Sequence, residues 1–325
     1  MLTQLAKSVN PQPGDVYVNP VAEQFVVAFF QQQGGLHDIF PAVPVALQSG
    51  VYFDVSRGDA LRNKTELKAP GAALSQIGVG VDNTPTYSCK VYEAEFPMTP
   101  EMAANYRLPI ARDQFAARTL GRAAYLRREK NWVTSFFTTG VWTTDITPST
   151  LWDDPASDPI GDIETGIETI LLATGYRPNM LALGYQVWKA LKQHPDILNR
   201  IGTGSASNMD PRNVTPELIA GLFGLKKVRI GEVIENTAAA GATVSTSFVA
   251  GKNALLCYST ETPSIMEVSA GYMFAWEGLV GTASGIAFRS GQDPRSEEYW
   301  YQIKHAEDFK KVSAQLGYFF SGAVS

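Results

Sequence analysis

Cysteine and histidine are scarce in this chain. Cys89 and Cys257 are its only cysteines, and His37, His194 and His305 its only histidines, in 325 residues. Two thiols far apart in sequence exclude a four-cysteine zinc site and a disulfide framework, and point to a reducing compartment. The histidines lack HxH or HExxH spacing, and there is no GxSxG elbow, so a Ser-His-Asp triad has little to draw on. No apolar run approaches the ~20 residues that cross a bilayer. The opening MLTQLAKSVNPQPGD has neither the charged lead nor the apolar centre of a targeting peptide. Positive charge is also short: a net charge of −5 argues against a dedicated nucleic-acid binder. Internal repeats and low-complexity tails are absent. The expectation is a soluble chain made in a cytoplasm, without cofactor, metal or membrane partner.

Core-forming material is ample, with 45% hydrophobic and 18% charged residues, enough for two domains or one elaborate one. Three helix starts are plain. Thr99, Asp158 and Thr215 can each cap, and each is followed by a proline suited to the first turn. Gly224 provides a stop for the third. The run VAEQFVVAFF, Val21 to Phe30, reads as a strand or a brief helix. IFPAVPVAL, with Pro41 and Pro44, suits an extended edge segment. Further on, NMLALG reads as a buried strand, YQVWKALKQHPDILNRI as the helix behind it, and LKKVRIG as another strand. From Ala254 strands dominate; in YWYQIK, Tyr299, Tyr301 and Ile303 alternate with Trp300, Gln302 and Lys304, the period of a half-exposed sheet.

The longest helical signal runs from Ile110 to Trp142. Ala116, Leu120, Ala124, Trp132 and Phe136 form one apolar stripe interrupted by Arg128. Arg112, Arg118, Arg122, Arg127, Arg128 and Lys130 outnumber Asp113 and Glu129, giving a locally positive rod on an acidic protein. These arginines either form a solvated, salt-bridged face or meet acidic neighbours or a polyanion. Other chemistry is thin. GVGVDN (78–83) and GTGSAS (202–207) lack the spacing and context of phosphate loops and read as loops. In WDDPASDPIGDIE the acids read as helix-terminal caps rather than metal ligands, His194 as a helix C-terminal residue, and Cys257 as a small buried apolar residue.

One stretch fits none of this. KTELKAPGAALSQIGVGVDNTPTYSCKVYEAEF, 64–96, is polar, poor in large aliphatic residues and broken by Pro70, Gly71, Gly78, Gly80 and Pro85. Its flanks, VYFDVSRGD and YSCKVYEAEF, read as strands. A two-stranded arm with no core of its own is marginal in water and offers its edges to another chain.

The order of these elements resembles the major capsid (coat) protein of tailed bacteriophages, the Hong Kong ninety-seven type fold. The likeness is carried by WKALKQHPD at Trp188 to Asp196, by DPRNVTPELIAGLFGLKKVRIGEVI at 210–234, and by the closing AEDFKKVSAQLGYFFSGAV with its Leu-Gly-Tyr-Phe turn at 316–319. The resemblance implies an α+β fold: an N-terminal arm and start of the peripheral domain (1–50), an extended β-hairpin loop (51–97), a peripheral domain with a long spine helix (98–157), an axial α/β domain (158–265), and return strands of the peripheral domain with a C-terminal end in the axial domain (266–325). It implies a structural protein and not an enzyme, self-assembling as hexamers and pentamers into an icosahedral shell, a virion capsid, assembled in the host cytoplasm. It implies a portal protein and, with no long extension ahead of the arm, a separate scaffolding protein; a decoration protein and non-specific contact with packaged double-stranded DNA belong to the same picture. Candidate inter-subunit contacts are Arg57, Arg62, Lys64, Glu66 and Lys68 in the loop and Arg118, Arg122, Arg127 and Arg128 on the helix. Some members weld subunits through a Lys–Asn bond, but nothing places an Asn and a Glu against Lys64 or Lys68. An encapsulin-like nanocompartment shell and a two-domain α/β enzyme are the alternative readings.

Overall fold

The computed structural model describes residues 34–52, 54–55, 81–82, 84–105, 109–202, 214–239, 241–263, 268–280 and 285–325. The run Val21 to Phe30, GTGSAS from Thr203 onward, and loop residues Arg57, Arg62, Lys64, Glu66 and Lys68 lie outside the described residues. Two five-stranded sheets organise the rest.

The first sheet is built on one long strand. Following the chain, β1 is Ala42–Val45, β2 Ser49–Val51, β3 Asp54–Val55, β4 Val81–Asp82, β5 Thr86–Ser88 and β6 Lys90–Met98. Helices α1 (Pro100–Ala104) and α2 (Pro109–Phe136) come next, then β7 (Thr144–Ile146). Near the C-terminus lie β13 (Gly271–Trp276), α7 (Glu277–Val280), β14 (Ile286–Gln292), β15 (Tyr299–Lys311) and β16 (Gly317–Phe320). β15 pairs antiparallel with β14 and β13 and, from Tyr299 to Glu307, with β6. β1 adds a parallel edge to β13, and Pro44 is tolerated because an edge strand needs no second row of N–H donors. The alternation read in YWYQIK is present: Tyr301 and Ile303 are buried and the even positions half-exposed.

The second sheet has the order β7-β16-β12-β8-β9, where β8 is Met180–Gly184, β9 Lys227–Gly231 and β12 Ala254–Cys257; the small β10 (Ile234–Asn236) and β11 (Thr246–Phe248) form a hairpin beside it. β8, β12 and β16 are buried along their whole length. α3 (Pro159–Thr174) packs on β12 and β16, while α4 (Tyr185–Gln193), α5 (Pro195–Gly202) and α6 (Pro216–Phe223) connect β8 to its parallel neighbour β9. All three caps read from the sequence form: Thr99, Asp158 and Thr215 accept from the N–H groups of Met102, Gly161 and Leu218. The single helix expected behind β8 is two, because Pro195 cannot continue α4 and opens α5.

α2 ends at Phe136, six residues before Trp142, whose indole N–H folds back onto the Phe136 carbonyl at 2.7 Å. Gly317 makes that fold possible, since a Cβ there would overlap the Trp142 ring. The buried stripe of α2 is continuous, not interrupted: Arg128 lies on it between Ala124 and Trp132, 5% exposed, with its Nε 2.6 Å from Glu307 Oε2 on β15. Arg128 is therefore no surface candidate for contact with a neighbouring subunit; it neutralises a carboxylate inside its own chain. Asn131 Nδ2 lies 3.4 Å from the other Glu307 oxygen. Burial alone would raise the Glu307 carboxyl, but Arg128 and the nearby His305 hold it well below the usual range.

One position later Glu129, 1% exposed, accepts from the backbone N–H groups of Leu36 and His37 at 3.2 and 3.0 Å and meets the His37 Nδ1. This ties the 3₁₀ turn Leu36–Ile39 to the middle of α2. Gly35 is required beside it, because a Cβ there would overlap the Glu129 carboxylate.

Removing one member of a buried pair costs about 3–5 kcal/mol, whereas replacing both by apolar residues is often neutral. Arg128→Met and Glu307→Gln should therefore each lower the urea midpoint strongly, and Arg128→Met/Glu307→Leu should recover most of the loss. Because the folded Glu307 pKa lies below its unfolded value of 4.5, the pair's contribution is complete above about pH 4.5 and is lost as pH falls toward 2. Urea titrations between pH 7 and 3 should show this loss in the native chain and not in the double variant.

Candidate intersubunit surfaces

The ribbon leaves the body where β2 pairs with β5 and continues where β3 pairs with β4, each pair a two-stranded sheet of its own. Its base is anchored by a satellite cluster. Tyr87 stacks on Phe274 at 4.6 Å, Tyr52 lies 5.5 Å from the same ring, and Cys89 is buried with them. Ser88 N–H donates to Asp308 at 2.8 Å and the Tyr52 hydroxyl to the Lys311 carbonyl at 3.0 Å. At this base apolar side chains are exposed: Leu47, in the turn before β2, is 69% and Val51, on β2, 58% exposed. Within the stretch 51–97, read as the extended loop, the segment Lys90–Met98 is a full strand of the first sheet, whose nine residues pair with β15.

On α2, Arg118, Arg122 and Arg127 are exposed. Arg127 covers the Tyr92 ring at 4.6 Å, and Tyr92 in turn stacks on His305 at 5.0 Å. Lys130 pairs with Glu235 at 2.6 Å. Arg118 and Arg122, one turn apart, have no acidic partner among the described residues, a mildly repulsive arrangement that an anionic neighbour would relieve. A second exposed feature is the end of α3, where Leu172 is 77% exposed beside Leu171 and Tyr176.

Side chains with catalytic potential are occupied structurally. Ser157 Oγ lies 3.1 Å from His194 Nε2, and Asp196 lies 3.8 Å from Nδ1, which superficially outlines a triad. The tautomer is wrong for it. Nδ1 accepts from the Asp196 backbone N–H at 3.3 Å, so the proton sits on Nε2, which faces the Asp154 carbonyl at 3.3 Å and cannot take a proton from serine. Ser157 donates instead to Asp154 O at 2.8 Å. The four aspartates of 152–164 are engaged likewise: Asp158 caps α3, Asp162 accepts from Trp152 Nε1 at 2.8 Å, Asp153 accepts from Ser325, and Asp154 accepts from the Ala156 N–H at 2.9 Å. Among the described residues no three His, Cys, Asp or Glu side chains group to hold a metal, and no helix is long and apolar enough to cross a membrane. GVGVDN contributes β4 at Val81–Asp82.

The residues that sequence reasoning missed are His37, Glu129, His305 and Glu307. Extending the period of β15 inward from Tyr301 and Ile303 reaches His305 and Glu307, all buried, so Arg128 on the apolar stripe and Glu307 on the inward face were the available signal.

Both thiols are free and buried. Burial, then Asp308 and Glu307, push Cys89 up to about 11, and burial raises Cys257 further. Neither is a thiolate nucleophile at neutral pH. In the folded chain at pH 8 both should resist a thiol reagent that titrates two thiols at once in urea; prompt native labelling of Cys89 would show the ribbon base to be open.

No protein-family model matches the chain. Over 182 residues it is 29% identical to the major capsid protein of Pseudomonas phage JBD67, covering 54% of this chain and 53% of that protein. Over 78 residues it is 35% identical to the major capsid protein of Burkholderia phage BcepMu, 24% of each. The chain thus spans about half the length of one curated relative and a quarter of the other. In structure it is similar to a phage-related protein from Bordetella bronchiseptica RB50, with a TM-score of 0.72 at 22% identity over 95% of this chain and 98% of that one. It is also similar to the capsid of cyanophage P-SCSP1u (TM-score 0.55, 8% identity, 98% and 92% covered) and to the SrpI encapsulin of Synechococcus elongatus (0.52, 12%, 98% and 92%). The chain has the Hong Kong ninety-seven type fold of tailed-phage capsid proteins, and over about half its length it is related in sequence to their major capsid proteins.

Proposed function

We propose that the chain is the major shell-forming subunit of a tailed-phage head, assembling through copies of itself into the capsid that encloses double-stranded DNA. The observation that carries this reading is the ribbon: a two-stranded extension leaves a well-packed body, and apolar side chains are exposed at its base, Val51 on β2 and Leu47 in the turn before it. Burial of that surface on a neighbour, at ~25 cal/mol per Å², contributes several kcal/mol for a few hundred Å², and association costs absorb much of it. Each contact is then weak and correctable, while a subunit held through several contacts at once stays in place. The sheet built on β15 with α2 is the peripheral domain, and the sheet containing β8, β12 and β16 the axial domain. Arg118, Arg122 and Arg127, with loop residues Arg57, Arg62, Lys64, Glu66 and Lys68, are the proposed inter-subunit contacts. A separate scaffolding protein, a portal, a decoration protein and non-specific contact with DNA complete the proposed partners; the net charge of −5 limits adhesion of the genome to the wall. The role is structural rather than catalytic, which the engaged state of Ser157, His194 and Asp196 supports.

Likeness to an encapsulin supports one second reading, a nanocompartment. Electron microscopy of the overexpressed protein separates the possibilities. Uniform hollow particles support a shell, enclosed protein cargo favours the nanocompartment, and small oligomers under all conditions oppose both. Replacing residues 56–80 by a short Gly-Ser turn should leave far-UV circular dichroism unchanged while abolishing particles. Normal particles from that variant would remove the ribbon from the account.

A further inference from the structure

α3 is apolar on more than its buried face. Ile160, Ile163, Ile167 and Ile170 point into the core. Leu171 and Leu172 lie outside that face, 43% and 77% exposed, with the exposed acid Glu168 one turn before Leu172 and Tyr176 just beyond the helix, 40% exposed. A second patch lies at the other end of β8. Tyr176 precedes that five-residue strand and Tyr185 follows it, so the two are separated by about 17 Å or more at ~3.3 Å per residue. Tyr185, 37% exposed, stacks on Phe248 of β11 at 5.0 Å, and Lys189 is exposed one turn further along α4. Neither Glu168 nor Lys189 has an ion-pair partner among the described residues.

We propose that these two patches meet head to tail between copies of this chain, the end of α3 in one copy seated on the Tyr185–Phe248 pair of the next. The inference rests on the shell reading and names a contact that joins neighbours within one ring. Its chemistry is complementary: leucine side chains meet aromatic faces, and Glu168 faces Lys189. Arg177, beside Tyr176, does not oppose this, because its Nη2 is held by the Phe223 carbonyl at 2.9 Å. A two-fold arrangement of either patch on itself would instead set like charges against each other. Two different patches at opposite ends of one strand make a heterologous contact, which closes into a ring when the rotation allows. The α3 patch is on the order of a few hundred Å², the size at which an exposed apolar patch marks an interaction site. That is well short of the ~800 Å² per partner of a stable interface. The contact therefore suits a copy that other contacts, the ribbon among them, already hold in place.

The test is crosslinking of assembled particles with a short bis-maleimide, in the full chain, whose own two thiols are buried. Leu172→Cys and Tyr185→Cys placed together in one chain should give a ladder of dimer, trimer and higher species on a denaturing gel. Either variant alone should stay monomeric, and an equal mixture of the two single variants should stop at dimer. Self-linking of Leu172→Cys alone makes the contact two-fold and overturns the proposal. So does the absence of a ladder in particles that electron microscopy shows to be intact, an outcome that leaves the shell reading standing. Slow maleimide labelling of Leu172→Cys in dispersed subunits also overturns it, because the patch is then covered by its own chain. Should no particles form, the shell reading fails, and the ladder is sought in concentrated dispersed protein. Its growth with concentration there upholds the head-to-tail contact, and its absence overturns that contact as well.

Discussion

The fold depends on how one long helix lies on one long strand. α2 presents an apolar stripe from Ala116 to Phe136 to the inward face of β15, and the seam carries a charge on each side, Arg128 against Glu307. An apolar contact alone would tolerate sliding by a turn. A buried ion pair does not, because a shifted register leaves two uncompensated charges in a low-dielectric interior. Glu129, next along the helix, adds a second constraint by gathering the N–H groups of Leu36 and His37. The helix, the central strand and the entry of the N-terminal segment are thereby fixed relative to one another.

That rigid body explains the ribbon. A two-stranded extension is marginal alone, yet its base is seated by Tyr52, Tyr87 and Cys89 against Phe274, on the strand that pairs with β15. The extension is thus aimed by the same sheet that the helix stabilises. In the proposed shell the projection finds its remaining burial on a neighbour, and neighbours related by closed symmetry give a shell rather than a fibre.

Local features of this fold were legible in the sequence because their causes are local. Thr99, Asp158 and Thr215 with the prolines behind them announced three helices, and the alternation around Tyr301 announced β15. Pairings across long separations were not legible. β1 joins β13 across more than two hundred residues, and nothing near Val43 or Phe274 names the other. β6 looked like part of the arm because Lys90, Glu93 and Glu95 give it a polar outer face; Glu93 meets Lys304 and Glu95 meets Gln302, both on β15. Arg128 looked like an interruption because its partner is 179 residues away. The short β7, β10 and β11 carried no period long enough to read. The whole-fold resemblance supplied the global order that these local signals could not.

The central claim is that the ribbon acquires its burial from other copies and not from its own body. Hydrogen exchange of the amides in Ser49–Val55 and Val81–Ser88, measured on dispersed subunits and on assembled particles, tests it most directly. The account predicts exchange within seconds to minutes beyond the Tyr87 anchor in the dispersed chain, and protection by orders of magnitude after assembly. Equal, strong protection in both states would contradict it.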